Sequence, residues 1–418
     1  MSSYYIKQQS KNSDPELPCF DVTVTKTEVP EQPKHEYGYN CSLNNYRDVI
    51  DNIDSDVWKK VRWYINEYDF LVKDPIINRA FYKYWEIVNE YELFEEYDEN
   101  ERDLVLHCAE APGGFIQGTN IYLQIDRLPE EAPVPSQPKH TTDEDGFITV
   151  HKRNKKKKPK PDYRIFTISL NKDLPQYKTY NLPSYNKNII NKHVCITYGK
   201  DDTGDINNWE NIHHIEHLAE RPFYLITADG GFDEGTEFNN KEQLHYALIL
   251  SEIYTALKLQ KQGGHFALKV FDVFTETSIH LLFLLHIAYN EVYVYKPKTS
   301  RPTNSEKYVI CKNFSMSDDV KANLLSHLRQ LSTTIGKLKS KYISFRLFKT
   351  IPEYFVNDIN HMNTDLLKKQ CSFLQQAVEL CQNEHFLEQY DSQLAQSIER
   401  RKQVFQEWEQ IYNLNAYV

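Results

Sequence analysis

One lysine inside an otherwise apolar segment has the clearest chemical implication in this sequence. Lys269 lies in Gly263-Gly-His-Phe-Ala-Leu-Lys-Val-Phe271, whose other residues predict a buried strand. A buried ammonium is costly unless it is paired, although a lysine on an edge strand could still reach solvent. Asp229 follows a second apolar strand, and Glu306 stands where a polar loop enters the last strand. The pattern favours a paired amine, a group suited to acid-base chemistry.

A glycine pair marks a second segment with chemical potential. Gly113 and Gly114 follow the first apolar strand and precede a predicted helix. Paired glycines let a backbone approach a ligand closely, and the helix N-terminus favours a negative group such as a carboxylate. A purely structural glycine turn remains an equal alternative.

The elements that must position these residues alternate between strands and helices. Near-continuous apolar strands separated by helices predict an α/β fold, with a mostly parallel sheet covered by helices on both faces. In such a sheet the ligand crevice lies at the carboxyl ends of the strands. The predicted strands are 103–108, 165–170, 194–198, 224–228, 265–270, 292–295 and 307–311, and the predicted helices are 74–91, 209–219, 242–261 and 275–289.

Three regions flank or interrupt the predicted domain at 46–314. Residues 1–45 are polar and rich in proline, which predicts a mobile or loosely docked arm. Residues 127–164 are acidic, then strongly basic, and predict a disordered insertion that binds RNA, directs nuclear import or is simply solvated. Residues 315–418 predict a helical extension that packs on the sheet domain or on a partner protein.

Four ordered motifs resemble the FtsJ-like ribose 2′-O-methyltransferases. The segments Ala228-Asp-Gly-Gly-Phe232, Gly263-Gly-His-Phe266 and Ser300-Arg-Pro-Thr-Asn-Ser-Glu306 are similar to the cap-specific mRNA branch of that family. The family's Lys-Asp-Lys-Glu tetrad falls on Lys83, Asp229, Lys269 and Glu306. The resemblance covers about 78–314 and implies a Rossmann-like class I methyltransferase fold.

The resemblance also implies a site for S-adenosyl-L-methionine. The family places the methionine end of this cofactor against the glycine turn and its adenosine beside an acidic turn, for which capping of a helix is the alternative. The residues implied are Gly113, Gly114, Phe115, Asp205, Ile206 and Asp229.

For capped mRNA as substrate, the resemblance implies contacts from the polar loop and from the helix that carries Lys83. Arg301 and Asn304 match positions near the substrate, and Arg79 could hold a phosphate. Lys269 would contact the ribose 2′-oxygen as a base or as an oxyanion stabiliser. Lys83 would lower the proton affinity of Lys269, while the two acids would raise it.

Composition excludes several classes and leaves others open. The 418 residues carry a net charge of -10, which argues against nonspecific coating of nucleic acid. The longest apolar run, 279–288, is too short for a membrane span. Seven cysteines without a CxxC pair predict a reduced, intracellular protein of the cytoplasm or nucleus. No metal is expected, because His213, His214 and His217 lack a nearby cysteine or acidic motif.

The sequence departs from the family pattern at two places, and two other functions remain as alternatives. Glu110 stands where relatives often carry a small residue, and the insertion lengthens the link between the first two strands. Methylation of ribosomal RNA or tRNA is one alternative, and a non-catalytic RNA-binding scaffold is the other. The compact size predicts a large DNA virus as the source.

Overall fold

The computed structural model describes residues 2–6, 20–27, 29–34, 40–68, 74–98, 101–124, 140–142, 148–150, 162–231, 238–338, 340 and 342–418. Its strands are β1 (Ser2–Ile6), β2 (Phe20–Thr27), β3 (Val105–Cys108), β4 (His140–Thr142), β5 (Ile148–Val150), β6 (Ile165–Ile168), β7 (Val194–Thr197), β8 (Phe223–Ala228), β9 (Gln260–Val270), β10 (Tyr289–Lys296), β11 (Lys307–Phe314) and β12 (Tyr342–Phe348). Its helices are α1 (Asn40–Asp51), α2 (Ser55–Ile65), α3 (Arg79–Glu90), α4 (Gly114–Tyr122), α5 (Trp209–Ala219), α6 (Lys241–Leu244), α7 (Tyr246–Leu259), α8 (Glu276–Ala288), α9 (Asp318–Leu338), α10 (Glu353–Cys381), α11 (Glu384–Glu388) and α12 (Tyr390–Ile411).

An eight-stranded sheet organises the molecule in the order β1-β10-β11-β9-β8-β3-β6-β7. Strands β3 and β6 to β9 are parallel, whereas β11 runs antiparallel to both β9 and β10. Every residue of β8 is buried, as expected for a strand with helices on both faces. The predicted Rossmann-like class I methyltransferase fold is therefore confirmed.

The point at which the strand order reverses lies between β3 and β8. The chain runs from β3 outward through β6 and β7, then returns to β8 on the other side of β3. Ligands of open α/β sheets bind outside the carboxyl ends of the strands at such a switch point. The loops that follow Cys108 and Ala228 meet there.

The N-terminal prediction is wrong for the residues that the structure describes. Strand β1 pairs antiparallel with β10 at the edge of the main sheet, and β2 pairs with β12. Ile6 is 2% exposed, so this segment contributes to the core. Strand β10 would otherwise present unpaired backbone groups, and β1 satisfies them. No local periodicity in so short a segment signals this pairing.

The C-terminal extension is helical, as predicted, except for β12. It packs on the sheet domain, since Trp408 of α12 lies in one apolar cluster with Phe81 and Trp85 of α3. The predicted helix at 242–261 is also revised, because it divides into α6 and α7 and ends where β9 begins. The predicted disordered insertion at 127–164 lies mostly outside the described residues. Within it, β4 and β5 pair antiparallel.

Among the described residues, no helix combines the length and the apolar composition that a membrane crossing requires.

Candidate active site

Two ion pairs bring the four tetrad residues together at the switch point. Lys269 Nζ lies 3.2 Å from Asp229 Oδ1 and donates to the Asp229 backbone oxygen at 2.8 Å. Lys83 Nζ lies 2.7 Å from Glu306 Oε1. All four side chains are only 11–15% exposed. The predicted burial and pairing of Lys269 are therefore confirmed.

Helix α3 places Lys83 in the site, because the start of this helix is held against α4. The Asn78 side chain caps α3 by accepting a hydrogen bond from the Phe81 amide at 3.3 Å. A Cβ on Gly114 would lie 2.3 Å from Asn78 Oδ1 and 2.8 Å from the Phe81 nitrogen. Only glycine permits this approach, so the glycine pair sets the position of Lys83 as well as the turn after β3.

Strand pairing and a tyrosine hold the other ion pair. Tyr308 of β11 lies opposite Lys269 of β9 in the antiparallel ladder. Its hydroxyl donates to Asp229 Oδ1 at 2.8 Å, so one carboxylate oxygen contacts both side chains. The sequence analysis missed Tyr308, because nothing in an aromatic strand residue signals a partner 79 positions away.

Residues 297–305, here called the substrate loop, hold Glu306 from the other side. Ser300 Oγ donates to Glu306 Oε1 at 2.9 Å. Lys296 Nζ donates to the Glu306 backbone oxygen at 2.8 Å and to Asn304 Oδ1 at 2.6 Å. Asn304 therefore shapes the loop through Lys296. Lys296 is a second residue that sequence reasoning missed.

The electrostatics keep Lys269 and Glu306 charged. Burial opposes the ammonium of Lys269, but Asp229 and Glu306 outweigh burial and raise its pKa above the ordinary value. Burial likewise opposes the Glu306 carboxylate, yet Lys83 and Lys269 hold its pKa well below the usual range. Lys269 is thus an ammonium at neutral pH, which favours a stabilising over a proton-accepting role in the free protein.

The pKa of Lys296 is shifted in the opposite direction from that of Lys269. Burial lowers its pKa to about 7, and the nearby cations Lys307 and Lys83 act in the same direction. An amine with this pKa is divided between its charged and neutral forms under physiological conditions.

The turn after β3 contains an internal hydrogen bond that the sequence analysis did not predict. Glu110 is 3% exposed, and its Oε1 accepts a hydrogen bond from the Phe115 amide at 2.5 Å. The negative group expected at the N-terminus of α4 is therefore supplied by the chain itself. Gly113 has φ +112, and a Cβ there would meet Ile189. The two glycines are required for packing within the protein, and their predicted contact with a ligand remains a prediction.

The acidic turn at 201–206 lies beside this segment. A Cβ on Gly204 would lie 1.8 Å from the Ser169 backbone oxygen, and Ser169 Oγ accepts from the Ala111 amide at 3.2 Å. Asp205 Oδ1 accepts from the Asn207 amide at 2.9 Å, while Ile206 is buried. The structure thus places Asp205 and Ile206 near the turn after β3, at the same edge of the sheet.

Three arginines form a cationic group beside Glu306. Burial, followed by the neighbouring Arg301, lowers the pKa of Arg79 to about 10. Arg301 also lowers the pKa of Arg62, after burial. Arg79 donates to the Thr299 backbone oxygen at 2.5 Å. The predicted anion-binding residues Arg79 and Arg301 are therefore adjacent, and Arg62 of α2 is a third that the sequence analysis missed.

Glu252 of α7 is a buried acid behind Asp229. It is 1% exposed and its Oε1 accepts from the Gly230 amide at 3.1 Å. Burial raises the pKa of Glu252 to about 8. Between pH 4.5 and pH 8 the unfolded chain loses this proton while the folded protein keeps it. Stability from this group is therefore complete below pH 4.5 and declines as the pH rises.

Glu252→Gln is expected to stabilise the protein at neutral pH. Glutamine keeps the acceptor for Gly230 and has no proton to lose, so the free energy of unfolding should rise by up to about 3 kcal/mol at pH 7. Urea unfolding at pH 4.5, 6 and 7.5 should show the gain growing with pH. The exposed Glu353→Gln variant is the control. An equal gain at all three pH values would contradict the assignment.

The described residues contain no group of three or more His, Cys, Asp or Glu side chains arranged to hold a metal ion. His213 lies 3.1 Å from Glu216 on the surface of α5.

A buried acid-amine tetrad lies at the switch point of a Rossmann-like sheet, and sequence comparison relates this region to a known family. Residues 146–314, less than half of the chain, match the family model of the FtsJ-like methyltransferases. Asp229, Lys269 and Glu306 lie inside the matched segment, whereas Lys83 and the glycine turn precede it.

Curated relatives carry more specific names. Cap-specific mRNA (nucleoside-2′-O-)-methyltransferase 2 of Mus musculus is 27% identical over 297 residues, which cover 69% of this chain and 35% of that protein. Cap-specific mRNA (nucleoside-2′-O-)-methyltransferase 1 of Mus musculus is 39% identical over 145 residues, 32% of this chain and 17% of that protein. The inactive cap-specific mRNA (nucleoside-2′-O-)-methyltransferase 1B of Caenorhabditis briggsae is 29% identical over 199 residues, 45% of this chain and 23% of that protein.

The chain spans about a third or less of the length of these relatives. One of them is named as inactive, so similarity alone does not decide activity. The geometry of the site must carry that argument.

Proposed function

We propose that this protein transfers a methyl group from S-adenosyl-L-methionine to the ribose 2′-hydroxyl of the first nucleotides of capped mRNA. The paired arrangement of Lys83 with Glu306 and of Lys269 with Asp229 is the observation that carries the proposal. A scaffold that only binds RNA has no need for two buried ion pairs, because such pairs seldom increase stability.

The residues at the switch point fit the cofactor. S-adenosyl-L-methionine, when bound, supplies a methyl group activated by a sulfonium, and it carries a second positive charge on its amino group. Burial, and then the neighbouring Asp229, raise the pKa of Glu110 well above its usual range, and a cationic ligand would favour the charged form of Glu110. Asp205 and Ile206 are candidates for the adenosine end. Gly113, Gly114 and Phe115 would form the wall beside the methionine end.

Lys269 would stabilise charge on the ribose oxygen. A ribose hydroxyl is a weak nucleophile near pH 7, so the site must orient it in line and support the negative charge that develops as its proton passes to water. The charged ammonium of Lys269 can donate to that oxygen while Asp229 fixes its position. Lys83 and Glu306 then hold the opposite wall, and the three arginines bind neighbouring phosphates.

Methylation of matched RNAs tests the proposal. Capped and uncapped transcripts of one sequence should be incubated with the protein and S-adenosyl-L-methionine, then digested and analysed by mass spectrometry for 2′-O-methyl nucleosides. We expect methylation within the first two nucleotides of the capped transcript alone. Equal methylation of uncapped RNA would favour ribosomal RNA or tRNA as substrate.

Cofactor binding separates an enzyme from a scaffold. Calorimetry should give measurable heat for S-adenosyl-L-methionine, and the cofactor should raise the melting temperature of the protein. Neither heat nor a thermal shift would support the scaffold function.

A further inference from the structure

A cavity of about 690 Å³ lies on the far side of the substrate loop from the tetrad. Its walls come from the loop, from 64–68 at the end of α2, and from α10 and α12 of the C-terminal extension. The family match covers residues 146–314, so the walls from 64–68, α10 and α12 all lie outside the matched segment. The volume is in the range of cavities that hold one small organic ligand.

The cavity is strongly cationic within an acidic protein. The chain as a whole carries a net charge of -10, yet among the described residues that line this cavity Glu67 is the single acid. Glu67 is paired with Arg400 at 2.8 Å. The cationic lining residues are Lys296, Lys298, Lys307, Lys369, Arg400 and Arg401. This concentration of positive charge selects for an anionic ligand.

Aromatic rings and hydrogen-bond donors without an acceptor also line the cavity. Phe373 of α10 lines the cavity and is 37% exposed, and Tyr64 and Tyr68 line the opposite wall. Exposed aromatic faces beside cations are the platform on which nucleic-acid bases stack. Within the described part of the chain, Asn66 Nδ2 and Arg401 Nη1 have no hydrogen-bond acceptor. Both residues line the cavity, so a ligand with acceptor atoms would suit it.

The cavity is separated from the tetrad by the thickness of one loop. Ser300 lines the cavity and also donates to Glu306, and Lys296 contacts Glu306 and lines the same cavity. A strand with its ribose at Lys269 can therefore reach the cavity with a neighbouring nucleotide.

We propose that this cavity, here called the extension cavity, binds a nucleotide of the RNA strand next to the methylated one. The inference rests on the proposed function, since it takes RNA as the substrate. The cations bind the phosphate and Phe373 stacks on the base. The C-terminal extension is thereby part of the RNA-binding surface.

Charge reversal at two lining residues tests the proposal. The double variant Lys369→Glu/Arg400→Glu is compared with Lys368→Glu/Lys402→Glu, which changes charge equally on α10 and α12 at exposed positions outside the cavity. The probe is a fluorescein-labelled capped RNA of ten nucleotides, and its affinity is measured by anisotropy at several salt concentrations. We expect the cavity variant to weaken binding about tenfold or more relative to the control variant, with a smaller salt slope.

Phe373→Ala separates stacking from charge. This variant should weaken binding about fivefold or more without changing the salt slope, because base stacking does not release counterions. If the cavity variants bind the RNA as tightly as the control variant does, the proposal is overturned.

The length of the probe identifies which neighbour is bound. A loss already present with a cap joined to a single nucleotide assigns the cavity to the 5′ side of the methylated ribose, and a loss seen only with the longer probe assigns it to the 3′ side. Methyl transfer is assayed in parallel. If the wild type transfers the methyl group but the cavity variants bind RNA as tightly as the control variant does, only this inference is overturned. If the cavity variants bind RNA more weakly but the wild type transfers no methyl group, this inference stands and the proposed function is contradicted.

Discussion

Lys269→Ala is expected to lower the turnover of capped RNA by at least about a hundredfold, the usual effect of removing a donor that stabilises a developing oxyanion. Affinity for S-adenosyl-L-methionine should change much less, because Asp229 retains the hydrogen bond from Tyr308. Lys261→Ala is the matched control, since Lys261 lies on the same strand and is paired with Asp103 at 2.7 Å, away from the site. Near-wild-type turnover in a folded Lys269 variant would remove this residue from the mechanism.

Lys269→Arg distinguishes a cation from a base. The pKa of Lys269 is raised, so a mechanism that needs the neutral amine would show kcat/KM still rising with pH above 9. A stabilising ammonium predicts no rise from this group between pH 6 and pH 9, and it predicts partial activity for arginine, which keeps the charge. We expect the second pattern. A steadily rising profile together with an inactive arginine variant would establish the base instead.

Glu86→Ala should cost both stability and RNA affinity. Glu86 of α3 is fully buried and accepts hydrogen bonds from the Tyr295 hydroxyl at 2.5 Å, the Lys298 amide at 2.6 Å and Trp408 Nε1 at 3.2 Å. Thr299 donates to it as well. One carboxylate thus connects the helix that carries Lys83, the substrate loop and α12.

Removal of this carboxylate leaves several buried donors without an acceptor, which should cost roughly 3–5 kcal/mol of unfolding free energy. The substrate loop also loses its anchor, so KM for RNA should rise more than kcat falls. Urea unfolding and initial rates measure the two effects. Glu90→Ala on the same helix is the control, because the Glu90 carboxylate accepts a hydrogen bond from the Tyr412 hydroxyl at 3.2 Å. Equal effects of the two variants would contradict the connecting role of Glu86.

The fold and the tetrad could be predicted from sequence because their signals are local. Lys269 stands out within one apolar strand, and Asp229 and Glu306 stand at strand ends. Glu86 and Trp408 carry no such signal, since they are 322 positions apart and each sits in an ordinary helical pattern. Glu110 departs from the small residue that relatives often carry, but the hydrogen bond that it accepts from the Phe115 amide depends on the shape of the turn.

The glycine turn shows how one residue type can support two interpretations. Gly113 and Gly114 predict equally well a ligand wall or a tight internal contact, and only the positions of the neighbours Ile189 and Asn78 reveal the internal contact. Strand β1 was missed for a related reason: a five-residue strand is defined by the edge it pairs with, and that edge is formed almost 300 residues later.

The contact between α3 and the end of the chain bears on how the protein can be divided. Trp85 Nε1 donates to the Tyr412 backbone oxygen at 2.9 Å, and the rings of Trp85 and Tyr417 pack edge to face. A fragment that stops at Phe314 would expose these aromatic surfaces and strip Glu86 of its indole partner. The sheet domain is therefore expected to depend on the extension for its stability, and fragments of this protein for expression should retain the extension through Tyr417.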